Sequence, residues 1–153
     1  MNYIIIFLIS MIPLAELRVA IPTGIAMGVS VLPAYAICIL GNLLPMPFVY
    51  LFSHRLLEWG KNKKVIGKFF RFCIEKGKSA GQKLQDTAGR GLFIALFIGI
   101  PIPGTGAWTG ILAASILRMD FKKSIMACLC GIMLAGVIMA ISSIGVLNLL
   151  DIN

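Results

Sequence analysis

The amino-acid sequence predicts an all-α integral membrane protein made of two inverted repeats, each a re-entrant helical hairpin followed by a transmembrane helix, with an amphipathic helical cytoplasmic segment between them. Three observations carry this reading. The 153 residues are 59% hydrophobic and 13% charged, with a mean hydropathy of +0.95, well above the roughly 45–50% apolar content of soluble domains. The apolar residues gather into four stretches, each long enough for the roughly 20 residues of a spanning helix, and proline interrupts the first and third. The basic residues lie between these stretches, so the formal net charge of +8 marks cytoplasmic flanks under the positive-inside rule. With no polar domain and no aromatic platforms to go with that charge, nucleic acid is not an expected partner.

The first stretch, residues 3–31, opens without the basic n-region or small-residue cleavage site of a secretory signal, and is read as part of the mature protein. Pro13 and Pro22 flank Glu16 and Arg18 within it. Proline removes a backbone donor and clashes with the preceding turn, so breaks are expected there. The second stretch, residues 32–52, is a clean span. Residues 53–90 form the only extended polar region, in which Ile66, Phe69, Phe70, Cys73, Ile74 and Leu84 recur at helical spacing while Lys64, Lys68, Arg71 and Lys78 fall on other faces. That pattern fits an amphipathic helix lying on the cytoplasmic interface, or equally a soluble helical hairpin packed on the membrane domain.

The third stretch, residues 91–117, is interrupted by Pro101, Pro103, Gly104 and Gly106, and the fourth, residues 124–150, is again a clean span. If all four crossed, the basic loop at Arg118, Lys122 and Lys123 would fall opposite the basic 53–90 segment, against the charge bias. Two re-entrant hairpins and two spans put both basic segments in the cytoplasm and both termini outside, in a bacterial-type inner membrane. The expected organisation is one membrane domain over 1–153, with repeat 1 at 1–52, the cytoplasmic segment at 53–90 and repeat 2 at 91–153. Short matches accompany it: Ile12-Pro13 with Ile100-Pro101, and Ala36-Ile37-Cys38 and Gly41 with Met126-Ala127-Cys128 and Gly131. Broken helices in inverted repeats that meet at the midplane are a transporter design.

Ionisable residues at membrane depth cost at least a few kcal/mol, so they are rare without a task or a partner. Glu16 and Arg18 are either a mutually satisfied pair or a working site, with Arg18 holding an anionic group and Glu16 cycling a proton. In the second break, Gly104, Thr105 and Gly106 let unwound backbone expose its N–H groups. A helix starting near Ala107, with Trp108 and Thr109 in its first turn, aims its positive end at the same depth. The alternative there is a tight packing turn with Gly106 and Gly110 as small helix contacts. Asn42, Pro45 and Pro47 line a cavity from the first span, unless Asn42 serves only as interhelical hydrogen-bond glue.

Cys38, Cys73, Cys128 and Cys130 form no Cys-x-x-Cys pair, and His54 is the sole histidine, so neither a metal nor a cofactor is expected. No nucleophile lies near a histidine and no nucleotide loop occurs, so no enzyme is expected.

The segments Pro13-Leu14-Ala15-Glu16-Leu17-Arg18-Val19-Ala20-Ile21-Pro22 and Pro101-Ile102-Pro103-Gly104-Thr105-Gly106-Ala107-Trp108-Thr109-Gly110 resemble the paired signatures of the small multidrug export family, over nearly the whole chain. That family looks like a distant relative of the DedA membrane proteins. The resemblance implies inverted re-entrant hairpins and proton-dependent transport, including that of undecaprenyl phosphate, with Glu16 and Arg18 in the acidic and arginine roles. It departs from the DedA pattern in carrying no charge between Gly91 and Leu117. The expected function is therefore a proton-linked translocase of an anionic lipid-phosphate or other amphiphile, acting in the bilayer, with a homodimer as the expected assembly. Efflux of cationic compounds is the alternative, disfavoured by the adjacent Arg18, and a non-transport assembly or lipid-remodelling factor is the third.

Overall fold

The computed structural model describes residues 1–13, 15–53, 86–100 and 105–149, and six further positions between 55 and 79. Pro101, Pro103, Gly104 and the apolar stripe of the 53–90 segment lie outside the described residues. Arg55, Trp59, Lys68, Arg71, Glu75 and Ser79 in that segment are helical and exposed.

Among the described residues the regular structure is entirely helical. The elements are α1 (Asn2–Met11), α2 (Glu16–Ala26), α3 (Val31–Leu43), α4 (Met46–Leu51), α5 (Thr87–Gly99), α6 (Ala107–Ile116) and α7 (Phe121–Leu149). Two helices are long and apolar enough to cross a membrane. They are Val31–Leu51, in which Pro45 puts a turn between α3 and α4, and Phe121–Val146, of 21 and 26 residues with mean hydropathy 1.6 and 2.5. Their surfaces show what surrounds them. Leu32, Leu40, Phe48 and Leu51 on the first, and Met126, Ile141 and Val146 on the second, are all more than half exposed, an apolar exterior that needs an apolar solvent. This is a membrane protein.

Both proline-bearing stretches are interrupted: one helix ends at Met11 and the next starts at Glu16, and one ends at Gly99 and the next starts at Ala107. The expectation of a break at Pro22 is corrected: α2 runs through it to Ala26. At that position the ring costs one intrahelical bond, to the carbonyl of Arg18, and a helix packed on α1, α3 and α7 absorbs the loss.

The same local contacts occur twice along the chain. Asn2 Nδ2 donates to Met27 O at 3.0 Å, and Arg90 Nη1 donates to Leu117 O at 3.0 Å. Each ties the start of one helix to the end of the next, so α1 folds back on α2 and α5 folds back on α6. The ends of α2 and α6 also match. Val29 N bonds Gly24 O and Gly28 N bonds Ile25 O, while Met119 N bonds Ala114 O and Arg118 N bonds Ser115 O. This is the Schellman closure, whose left-handed residue is Gly28 (φ 78°) in one half and Arg118 (φ 53°) in the other. Finally, Gly41 of α3 sits against Phe7 O and Ser10 of α1, and Gly131 of α7 against Ala95 O and Ile98 of α5. A Cβ would come within 2.8 Å of Phe7 O in the first case and 2.7 Å of Ala95 O in the second. Pairs before the breaks are eighty-eight residues apart and pairs after them ninety, so the second half has two more residues between its matching points. Buried Ile94, Ile98, Ile111, Leu112 and Ile132 fill the second half as Ile6, Leu17 and Ile21 fill the first.

Candidate functional site at the second helix break

A helix break leaves carbonyls without partners at one helix end and N–H groups without partners at the next helix start. Where such ends are closed off from water, side chains must satisfy them. The two breaks solve this differently.

At the first break the solution is neutral and local. Asn42, fully buried on α3, is oriented so that Nδ2 donates to Ser10 O and Oδ1 accepts from Leu17 N at 3.3 Å. One amide thus closes the end of α1 and the start of α2. The second break has Ile132 of α7 where the first has Asn42, and its ends are held from across the molecule by charge. The Glu16 carboxylate, 5% exposed, accepts from Ala107 N through Oε2 at 3.0 Å and from Trp108 N through Oε1 at 3.1 Å. Arg18 Nη2 donates to Ile98 O at 3.3 Å, Ile100 O at 3.2 Å and Thr105 Oγ1 at 2.9 Å. An anion therefore rests on the positive end of α6 and a cation on the negative end of α5, each where the helix dipole favours it.

Two backbone features make room for this. Glu16 has φ 49°, a left-handed conformation that costs a non-glycine residue about 1 kcal/mol or more. Gly106 lacks the Cβ that would stand 2.6 Å from Glu16 Oε1 and 2.7 Å from its Cδ, so no other residue seats the carboxylate.

Of the residues singled out from sequence, Glu16, Arg18, Thr105, Gly106 and Trp108 come together. Thr105 Oγ1 also donates to Ile100 O at 3.0 Å, bridging the break. Thr109, buried, turns its hydroxyl to Gly106 O at 3.0 Å and serves its own helix start. Asn42 belongs to the first break and adjoins the cluster through Leu17. The donors at Ala107 and Trp108 are the helix start that the Gly-Thr-Gly break announces, whereas the acceptors at Ile98 and Ile100 are backbone atoms of ordinary residues that no side-chain pattern announces. The Trp108 indole Nε1 is buried and has no acceptor among the described residues, one more donor at the first turn of α6 beside the two backbone N–H groups held by Glu16.

A family model described as "Putative small multi-drug export protein" matches residues 16–138, a span that takes in Glu16, Arg18, Asn42 and both sides of the second break. The chain belongs to the small multi-drug export protein family. Neither the curated proteins nor the solved structures contain a significant match. In this small multi-drug export protein the two helices long enough to span carry exposed apolar surfaces, and the charged Glu16 lies buried among the helices beside them.

Proposed function

We propose that this protein is a proton-linked transporter of an anionic amphiphile, a lipid phosphate by preference, and that the second helix break is its binding site. The observation that carries the reading is the pair of backbone donors at Ala107 and Trp108, now filled by the Glu16 carboxylate, beside the Arg18 guanidinium. Among the described residues the carboxylate's hydrogen-bond partners are both backbone donors, with the Arg18 guanidinium two positions along the chain, so the place suits an anion and repels a cation.

The mechanism follows from competition for those donors. When Glu16 takes up a proton it loses its charge, and its hold on the two N–H groups weakens, because hydrogen bonds to an ionised acceptor are roughly twice as strong as neutral ones. A phosphate oxygen then bonds to Ala107 N and Trp108 N, with Arg18 gripping a second oxygen through its planar fork. Loss of the proton restores the carboxylate, which displaces the anion. One proton is exchanged per anion bound, and the helix ends are never left open. In this proposal α1–α2 and α5–α6 are re-entrant hairpins of an inverted repeat, entering from opposite faces of an inner membrane. The cytoplasmic side carries residues 53–90 and the 118–123 connection, and the relationship to the DedA proteins belongs to the same proposal. Export of cationic compounds, one form that multi-drug export can take, is the competing reading, in which Glu16 must leave both N–H groups to bind its cargo.

The test is transport in proteoliposomes with and without a pH gradient, comparing a polyprenyl phosphate with a cationic dye. We expect gradient-dependent movement of the phosphate and none of the dye. Movement of the dye alone would establish cation export, and movement of neither by a folded protein would leave a non-transport role.

A further inference from the structure

Away from the helix breaks, a groove of about 650 Å³ runs along the outside of α5 and α7. It exists because the facing residues are small: Gly91 and Ala95 on α5 and Ala127 on α7 leave the floor low. A Cβ added at Gly91 would meet only the tip of Met119, at 4.0 Å. The two helices run in parallel here, since Gly91 adjoins Met119 while Ala95 O adjoins Gly131. One end of the groove is therefore made by the starts of both helices, and at that end stands Lys123, the only charged lining residue among those described. The remainder of the lining is apolar.

We propose that this groove binds one hydrocarbon chain of an anionic phospholipid, whose phosphate rests on Lys123. The polarity of the groove has the order of such a molecule, cationic at one end and hydrocarbon along its length. A transmembrane helix of a second copy is a poorer occupant, because it would press apolar side chains onto an ammonium group. Lys123 has capacity for the phosphate. Its pairing with Asp120 at 3.3 Å is between largely exposed side chains, 56% and 75% accessible, and so is weak and screened. An ammonium also has three donors, and Lys122 adds a second positive charge in the next position. The site is distinct from the Glu16 and Arg18 cluster, and the proposal holds whether or not that cluster moves a substrate.

The experiment places the full chain in nanodiscs containing phosphatidylglycerol or phosphatidylcholine with a diazirine in the same acyl position, and maps photo-crosslinks by mass spectrometry. Crosslinks are expected on Leu92, Met126 and Cys130, with phosphatidylglycerol favoured about fivefold, the preference one lysine confers near an anionic headgroup. Lys123→Gln should equalise the two lipids while keeping the chain in the groove. Gly91→Leu should fill the groove and remove the crosslinks. Should Gly91→Leu fail to fold, alkylating Cys130, exposed where Cys38 and Cys128 are buried, with a bulky maleimide in a Cys73→Ser variant blocks the same space. Equal labelling by both lipids, labelling spread evenly onto exposed Leu32 and Leu40, or protein-to-protein crosslinks through Cys130 would each overturn the proposal.

Discussion

Gly106, at the scale of single residues, is the sharpest probe of the charge clamp, because its whole contribution is the absence of one carbon. Gly106→Ala puts a Cβ against both the Oε1 and the Cδ of Glu16 and forces the carboxylate off Ala107 N and Trp108 N. Two buried backbone donors then lose a charged acceptor, at roughly 1–3 kcal/mol each, so we expect a fall in thermal stability as large as that of Glu16→Ala. Combining Gly106→Ala with Glu16→Ala should cost little beyond either alone, and a thermal melt of the three variants checks this. Glu16→Gln is milder, since its amide oxygen still accepts one bond. Arg18→Lys keeps the charge but loses the planar fork, so it should weaken phosphate binding more than it alters coupling to the gradient. Of this cluster the sequence disclosed the charged members, Thr105, Gly106 and the helix start at Ala107 and Trp108. That Glu16 itself fills that helix start, and that Arg18 takes Ile98 O and Ile100 O, was not legible, because these pairings join residues 80 to 92 apart in the chain and backbone acceptors have no residue type.

At the scale of elements, the two breaks have the same job and different holders. Amide exchange should reveal it. Leu17 N, held by the non-titrating Asn42 within its own half, should stay protected in Glu16→Gln, while Ala107 and Trp108 exchange faster; an equal change at all three amides would contradict separate clamps. The long helices close onto the hairpins through glycine. Gly41→Ala and Gly131→Ala drive a Cβ into the backbone of α1 and α5, and each should cost about 1–3 kcal/mol. Gly145→Ala, with open space around it, should be neutral or stabilising by up to about 1 kcal/mol, and denaturation in detergent distinguishes them. Periodicity and proline placed the long helices and both breaks. Pro22 misled, because a proline signals a missing donor and does not say whether tertiary packing makes the helix continue regardless. Of the two Schellman ends only the second is concealed in the sequence: glycine at Gly28 is the residue a left-handed turn favours, whereas arginine at Arg118 gives no sign of one.

At the scale of the whole molecule, the charge bias predicts an amino terminus outside and a cytoplasmic 53–90 segment. Single cysteines at residue 2 and residue 79 in a cysteine-free background, treated with an impermeant thiol reagent on intact cells, should label at 2 and remain protected at 79; the reverse pattern would invert the topology. The central claim, that Glu16 and Arg18 hold two different helix ends and do not simply neutralise each other, makes its own demand on the pair. A buried ion pair is often replaceable by apolar residues without loss, because each charge exists only to satisfy the other. Here the double change Glu16→Leu with Arg18→Met would leave Ala107 N, Trp108 N, Ile98 O and Ile100 O without their partners. The decisive measurement is the thermal stability and phosphate transport of that double variant beside its two single changes. The account requires stability below either single variant and no transport. Recovery of both to the level of the unmodified protein would show that the two charges serve only each other, and would contradict it.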